Sequence, residues 1–196
     1  MEPDSALPTF RVDPGTLLAQ AAPGQGERVT RDSPALAVMT DLTQAMAATT
    51  APSTTLRQAE QIMIFKGVRM LFVVTDMPSV EGLITSVDLR SDRTLQLVHE
   101  RGLHYDELSV GDVMTPLASV EAIAYERMRT ARVGQLIATM QRYGRNHLLV
   151  VEAATEDAPQ RMRGVISRAQ IERQLGERIE LTPIASSFSE IKHALS

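Results

Sequence analysis

The chain repeats itself, and this repeat limits its possible folds more than any other feature. Val38-Met39-Thr40 recurs as Val113-Met114-Thr115, an offset of 75 residues. Met63, Gly67 and Val73-Val74 recur as Met140, Gly144 and Val150-Val151 at an offset of 77. Gly82-Leu83-Ile84-Thr85 recurs as Gly164-Val165-Ile166-Ser167 at an offset of 82. Such self-similarity means two copies of one supersecondary unit in series. The offset grows between Val151 and Gly164, which places the extra residues in one charged and polar loop, 153–162, expected as a longer hairpin turn.

Each unit follows the same pattern. Leu56, Ala59, Ile62 and Met63 share one helical face, and so do Val133, Leu136, Ile137 and Met140. Both helices should end at a glycine, Gly67 or Gly144, suited to a left-handed C-cap. Apolar strands are expected at 70–75 and 147–152, then a turn and a second strand at 80–85 or 163–167. A further helix should begin at Thr85 or Ser167. The fold class is α/β, of the α+β type, built from two βαββα units.

The units are expected at 34–102 and 103–176. Half of the ten prolines fall in the first 34 residues, so 1–33 reads as a Pro/Gly-rich arm with a short strand at 9–12. Its Gly24-Gln25-Gly26-Glu27 lacks the third glycine and the preceding strand of a dinucleotide-binding turn. At the other end, 177–196 reads as a linker and a short amphipathic helix at 187–195. Ser187 and Glu190 would form its capping box, with Phe188, Ile191 and Leu195 on one face.

Composition narrows the function. A hydrophobic content of 43% supports a real core, and a net charge of −4 argues against nucleic acid as a partner. With no cysteine, a disulfide scaffold, a thiolate zinc site and a cysteine nucleophile are excluded. The histidines at 99, 104, 147 and 193 lack paired metal-ligand spacing. The acidic start Met-Glu-Pro-Asp is not a secretory signal, and no run approaches the roughly 18 apolar residues of a membrane span. A cytoplasmic protein without a membrane partner is expected.

The most informative segment is Gly82-Leu83-Ile84-Thr85-Ser86-Val87-Asp88, where a strand is expected to run into a helix. One reading is capping, with Thr85 accepting a backbone N–H and Asp88 favouring the helix start. The other is a ligand site: helix-start N–H groups hold a phosphate, and an ionised carboxylate accepts hydrogen bonds from vicinal ribose hydroxyls. The two are compatible. In the second unit Gln170 stands where Asp88 stands in the first; it can still cap with Ser167 but supplies no carboxylate. Two unequal clefts are the expectation.

With these residues in view, the chain from about Ser33 to Leu175 resembles a tandem pair of CBS (cystathionine β-synthase-type) domains, a Bateman module. The resemblance rests on the Val-Met-Thr openings, Leu71-Phe72-Val73-Val74 with Leu148-Leu149-Val150-Val151, and the Gly-x-x-Thr/Ser-x-x-Asp turn. It implies a pseudo-twofold pair with two clefts for adenosyl compounds (AMP, ADP, ATP, S-adenosylmethionine, sometimes NAD or another dinucleotide) and assembly as a homodimer. Carried over by position, Thr85 and Asp88 hold the ribose of the better site, with Tyr125, Arg145, Asn146 and His147 around the adenine or phosphate. The degenerate cleft would use Ser167 and Gln170 with Ala48, Val68, Arg69 and Met70.

Other candidates carry a plainer alternative. Arg127, Arg129, Arg132, Arg142 and Arg145 could steer a polyphosphate, but apart from Arg145 they read mainly as a solvated face. Arg90 and Arg93 are further phosphate candidates. Met63 and Met140 read as core, Tyr125 as a stacking or half-buried residue, and His147 as a packed histidine unless it meets ligand. No Ser–His–Asp or paired-carboxylate context suggests catalysis. A non-enzymatic regulatory module is expected, needing no cofactor, with an adenine nucleotide or S-adenosylmethionine as its regulatory ligand. With no output domain recognisable, its signal would pass to a separate, unidentified protein partner. The alternative is a structural or protein-interaction CBS dimer whose clefts are empty or filled by Arg145 and His147.

Overall fold

A computed structural model describes residues 11, 27–156 and 158–181. The strand expected at 9–12, most of the arm and the helix expected at 187–195 lie outside the described residues. In chain order the elements are β1 (Met39–Asp41), β2 (Thr49–Thr50), α1 (Leu56–Lys66), β3 (Met70–Val73), β4 (Gly82–Thr85) and α2 (Asp92–Arg101). Then come α3 (Val110–Val113), β5 (Thr115–Pro116), β6 (Ala122–Ala124), α4 (Tyr125–Met128), α5 (Val133–Tyr143), β7 (His147–Glu152), β8 (Arg161–Ser167) and α6 (Arg168–Leu175).

The strands form two four-stranded sheets of equivalent order, β2-β3-β4-β5 and β6-β7-β8-β1. In each, the first pair is parallel and the other two are antiparallel. The repeats exchange their opening strands. β1, which opens the first repeat, closes the second sheet with Thr40 opposite Val165, while β5 closes the first with Thr115 opposite Leu83. The cores follow the exchange: Ala35 and Val38 pack with Val133, Ile137 and Ile166, whereas Leu108, Val110 and Val113 pack with Leu56, Leu71 and Ile84. A third apolar layer, centred on Met70, Phe72 and Leu149, joins the two sheets.

The predicted helical faces are buried. Leu56, Ala59 and Met63 face the first core and Val133, Leu136, Ile137 and Met140 the second, with Ile62 half-buried. Thr55 caps α1 through a capping box with Gln58, and α1 and α5 stop at Gly67 (φ 64°) and Gly144 (φ 60°), where a side chain would be strained. α6 begins directly after Ser167, as expected. The helix expected to begin at Thr85 does not. A turn and a short 3-10 helix, Asp88–Arg90, intervene, and α2 starts at Asp92. Ser91 accepts the Thr94 N–H at 3.3 Å, so it and first-turn Asp92 provide the stronger start signal further along.

A bulge distinguishes the second sheet. Val150 faces Gly164 and Val151 faces Met162, leaving Arg163 between them as the extra residue. Arg163 donates two hydrogen bonds to Asp41 on the exchanged strand, at 3.2 and 2.8 Å, and lies 4.7 Å from the centre of the Tyr125 ring. The hydrogen bonds from Arg163 and Thr43 lower the Asp41 pKa from 3.8 to about 2. Because the folded-state value is the lower one, this stabilisation is complete above the unfolded pKa and is lost as pH falls towards 2. Arg163→Met should therefore lower the melting temperature at pH 7 and move the Asp41 titration back towards its ordinary value. Melting curves and carboxyl NMR titration check both, and an unshifted Asp41 would contradict the clamp.

Candidate functional site

The meeting of the two sheets leaves a cleft of about 840 Å³ lined by both units. On the first unit's side stand Thr85 and Asp88, where β4 leaves the sheet. On the second unit's side stand Arg145, Asn146 and His147, at the junction of α5 and β7. Five of the six residues expected at the better site thus line one cavity.

Asp88 is aimed by its neighbour. Its Oδ2 accepts from the Thr85 N–H and the Thr85 hydroxyl, both at 2.7 Å, while its own N–H lies 3.4 Å from Thr85 Oγ1. Oδ1 accepts no hydrogen bond from the described residues, so its lone pairs remain available to a ligand. Thr85 and Asp88 thus bond reciprocally, as the capping reading expects, but the turn leads only into the three-residue 3-10 helix Asp88–Arg90, so the phosphate-holding expectation at this position lacks an α-helix start.

His147 sits on the second wall with its pKa lowered from 6.5 to about 4. Burial is the main cause; Arg69 and Arg168 add to it, while the Asp88 carboxylate pulls the other way. At neutral pH the imidazole is uncharged and offers one donor and one acceptor. Arg145 is exposed, so its side chain stands in solvent rather than folded into the protein.

Tyr125 does not line the cleft. As the first residue of α4 it packs half-buried on the second core, under the Arg163 guanidinium. The cleft-lining residues of this stretch are the earlier ones, Ser119 to Ile123, so the chain has already turned away when it reaches Tyr125. Of the degenerate set, Met70 lines this same cleft, because β3 lies at the sheet-to-sheet layer. Gln170 is occupied, its Oε1 accepting from Thr40 Oγ1 at 3.1 Å. Ser167 stands opposite His147 in the second sheet, and the Arg69 carbonyl accepts the Ser86 N–H at 2.9 Å. Ala48 and Val68 are half-buried against the first core.

Arg142, which reads in the sequence mainly as part of a solvated arginine face, and Glu121, which the sequence does not single out, both line the cleft. Arg142 projects from the last turn of α5, a position that reads as solvated surface until the turn is seen to end at the cleft. Arg127, Arg129 and Arg132 do not line it, nor do Arg90 and Arg93; Arg90 pairs with Glu60. Among the described residues no group of three or more His, Cys, Asp or Glu is placed to hold a metal ion, and no helix is long and apolar enough to cross a membrane.

Known proteins place this architecture. Residues 37–93 match the CBS domain family. An uncharacterised conserved protein from Pyrococcus horikoshii is similar in structure, with 21% identity, 79% of this chain and 100% of that one covered, and a TM-score of 0.53. A protein with CBS domains from Burkholderia ambifaria is similar at 20% identity over 71% of this chain and 89% of that one, with a TM-score of 0.50. No curated protein matches the chain. Residues 37–93 are thus a CBS domain, and with the reciprocal strand exchange the chain folds as a tandem CBS pair.

Proposed function

We infer that the chain is a non-enzymatic regulatory module that binds an adenosyl ligand, AMP, ADP, ATP or S-adenosylmethionine, in the cleft between its two units. The observation that carries this reading is Asp88, held by Thr85 with Oδ1 free, in the same cavity as Arg142 and Arg145 from the other unit. The carboxylate suits the ribose hydroxyls and the guanidinium groups suit phosphate or carboxylate. Asn146 and neutral His147 offer directional hydrogen bonds to a base. A ligand spanning both walls favours whichever packing of the units brings them to its length, by its differential affinity for the two states. The output is a change in geometry read by a second copy of the chain or by a separate protein partner, in the cytoplasm.

The rival reading is a structural or protein-interaction dimer whose clefts are empty or filled by Arg145 and His147. The open volume beside those two side chains speaks against the filled form, and ligand binding separates the empty form from the ligand reading. A thermal-shift panel of AMP, ADP, ATP, S-adenosylmethionine, NAD and a guanosine control tests it. At about a hundredfold excess over Kd a ligand stabilises by roughly 2.7 kcal/mol, or several degrees for a chain of this size. Shifts confined to adenosyl compounds are expected. A flat panel would favour the structural or interaction dimer.

A further inference from the structure

Glu121 is the cleft residue that the adenosyl reading does not use. It immediately precedes β6, whose first residue, Ala122, pairs with Leu149 on β7 in parallel. The carboxylate therefore stands at the end of the sheet where β7 emerges from the Arg145–Asn146 junction, and it lines the same cavity as Arg142 and Arg145. The matching strand of the first unit is preceded by Ala48. The charge is thus particular to this cleft and is not demanded by the fold. Glu121 is exposed, and among the described residues none of Glu121, Arg142 and Arg145 is engaged in an ion pair. The charged side chains lining the cavity are two carboxylates, Asp88 and Glu121, and two guanidinium groups, Arg142 and Arg145, with His147 neutral.

A site built for a polyphosphate would line its cavity with a clear cationic excess; here the lining charges are equal in number, with Arg69 and Arg168 acting on His147 from outside the lining. We propose that Glu121 is a specificity-determining residue that caps the negative charge the cleft accepts, favouring an adenosyl ligand with one phosphate, or with a compensating cationic group, over di- and triphosphates. The proposal rests on the adenosyl reading and refines it. Each further phosphate charge must sit among the same two guanidinium groups and against the Glu121 carboxylate. At separations near 8 Å and an intermediate effective dielectric, one such pair of like charges shifts affinity by roughly fivefold.

The test is calorimetric titration of the full-length chain with AMP, ATP and S-adenosylmethionine at low and at high salt, for the wild type and for Glu121→Gln. The wild type should bind AMP and S-adenosylmethionine more tightly than ATP. Glu121→Gln should strengthen ATP binding by roughly fivefold or more relative to AMP at low salt, and less at high salt, where screening weakens the repulsion. Because Glu121 is exposed, the variant should keep the wild-type melting temperature, which confirms that any change belongs to the site. An AMP-to-ATP ratio unchanged by the substitution, or a wild type that prefers ATP, would overturn the charge cap and leave the adenosyl reading standing. If no adenosyl compound binds either protein, both fall together.

Discussion

Replacing Asp88 with alanine should weaken adenosyl binding by roughly 100-fold or more, because hydrogen bonds to a charged group contribute about 1.5–3 kcal/mol each and the ribose offers two. Gln170→Ala, at the equivalent place in the second unit, should leave affinity within about twofold, since Gln170 is turned onto Thr40 and carries no charge. Asp88 also ties down its own turn through Thr85, so the alanine variant alone mixes two effects. Asp88→Asn separates them: a carboxamide oxygen still accepts from Thr85, while its amide group presents donors to a ribose that needs acceptors. The expected pattern is near-normal stability for Asp88→Asn with binding lost as in Asp88→Ala. Titration calorimetry beside melting curves reads both, and equal losses from Asp88→Ala and Gln170→Ala would overturn the unequal clefts.

The second large effect is on the scaffold. Gly82 lies in β4 opposite Pro116, where the exchanged strand β5 crosses. A methyl group there would fall on the Thr115 carbonyl oxygen, at a separation no real side chain shows, and within 3.3 Å of Met114 Sδ. The neighbour is backbone and cannot step aside cheaply. Gly82→Ala should therefore cost about 1–3 kcal/mol, the usual range for overpacking, and lower the melting temperature by several degrees. Gly164 is its counterpart in the second sheet, opposite Asp41 of β1. There the added carbon meets mainly the Met39 side chain, at 2.6 and 2.7 Å, with the Thr40 carbonyl oxygen at 3.0 Å. A thioether adapts more readily than a carbonyl, so Gly164→Ala should be the milder change. The order Gly82→Ala worse than Gly164→Ala is checked by thermal or urea melts, and the reverse order would contradict the exchange geometry. Since Thr115 also lines the cleft, Gly82→Ala should weaken ligand binding as well.

Which of these features were legible beforehand follows from their length. The faces of α1 and α5 span three turns, and strands β3 and β7 run through four and six residues, so their patterns exceed chance. Gly67 and Gly144 marked their ends because only glycine adopts a positive φ without strain. The exchanged strands are three and two residues long, too short for any alternation, and their partners lie far along the chain. The recurrence of Val-Met-Thr marked them as equivalent without saying which sheet they join. α2 starts further along than the Thr85–Asp88 pattern suggests, because that pair caps only a 3-10 helix, which in one dimension looks the same as an α-helix start.

At the cleft, Thr85 and Asp88 were legible from their chemistry, whereas Arg145, Asn146 and His147 followed only from the CBS resemblance, which points to the helix-to-strand junction. Tyr125 followed from the same resemblance, yet the chain turns into α4 just at that residue. Arg142 was hidden among arginines that do face solvent, and Glu121 sits in a stretch with no periodicity at all. Neither could be assigned before the two units were seen to share a cavity.

The proposed function turns on one ligand bridging both units at one cleft. The most direct measurement is an amide NMR titration of the full-length protein with AMP at pH 7. Signals of Thr85 and Asp88 and those of Asn146 and His147 should shift together with a single dissociation constant, while Ser167 and Gln170 stay largely unmoved. Shifts confined to one wall, or centred on Ser167 and Gln170, would contradict it.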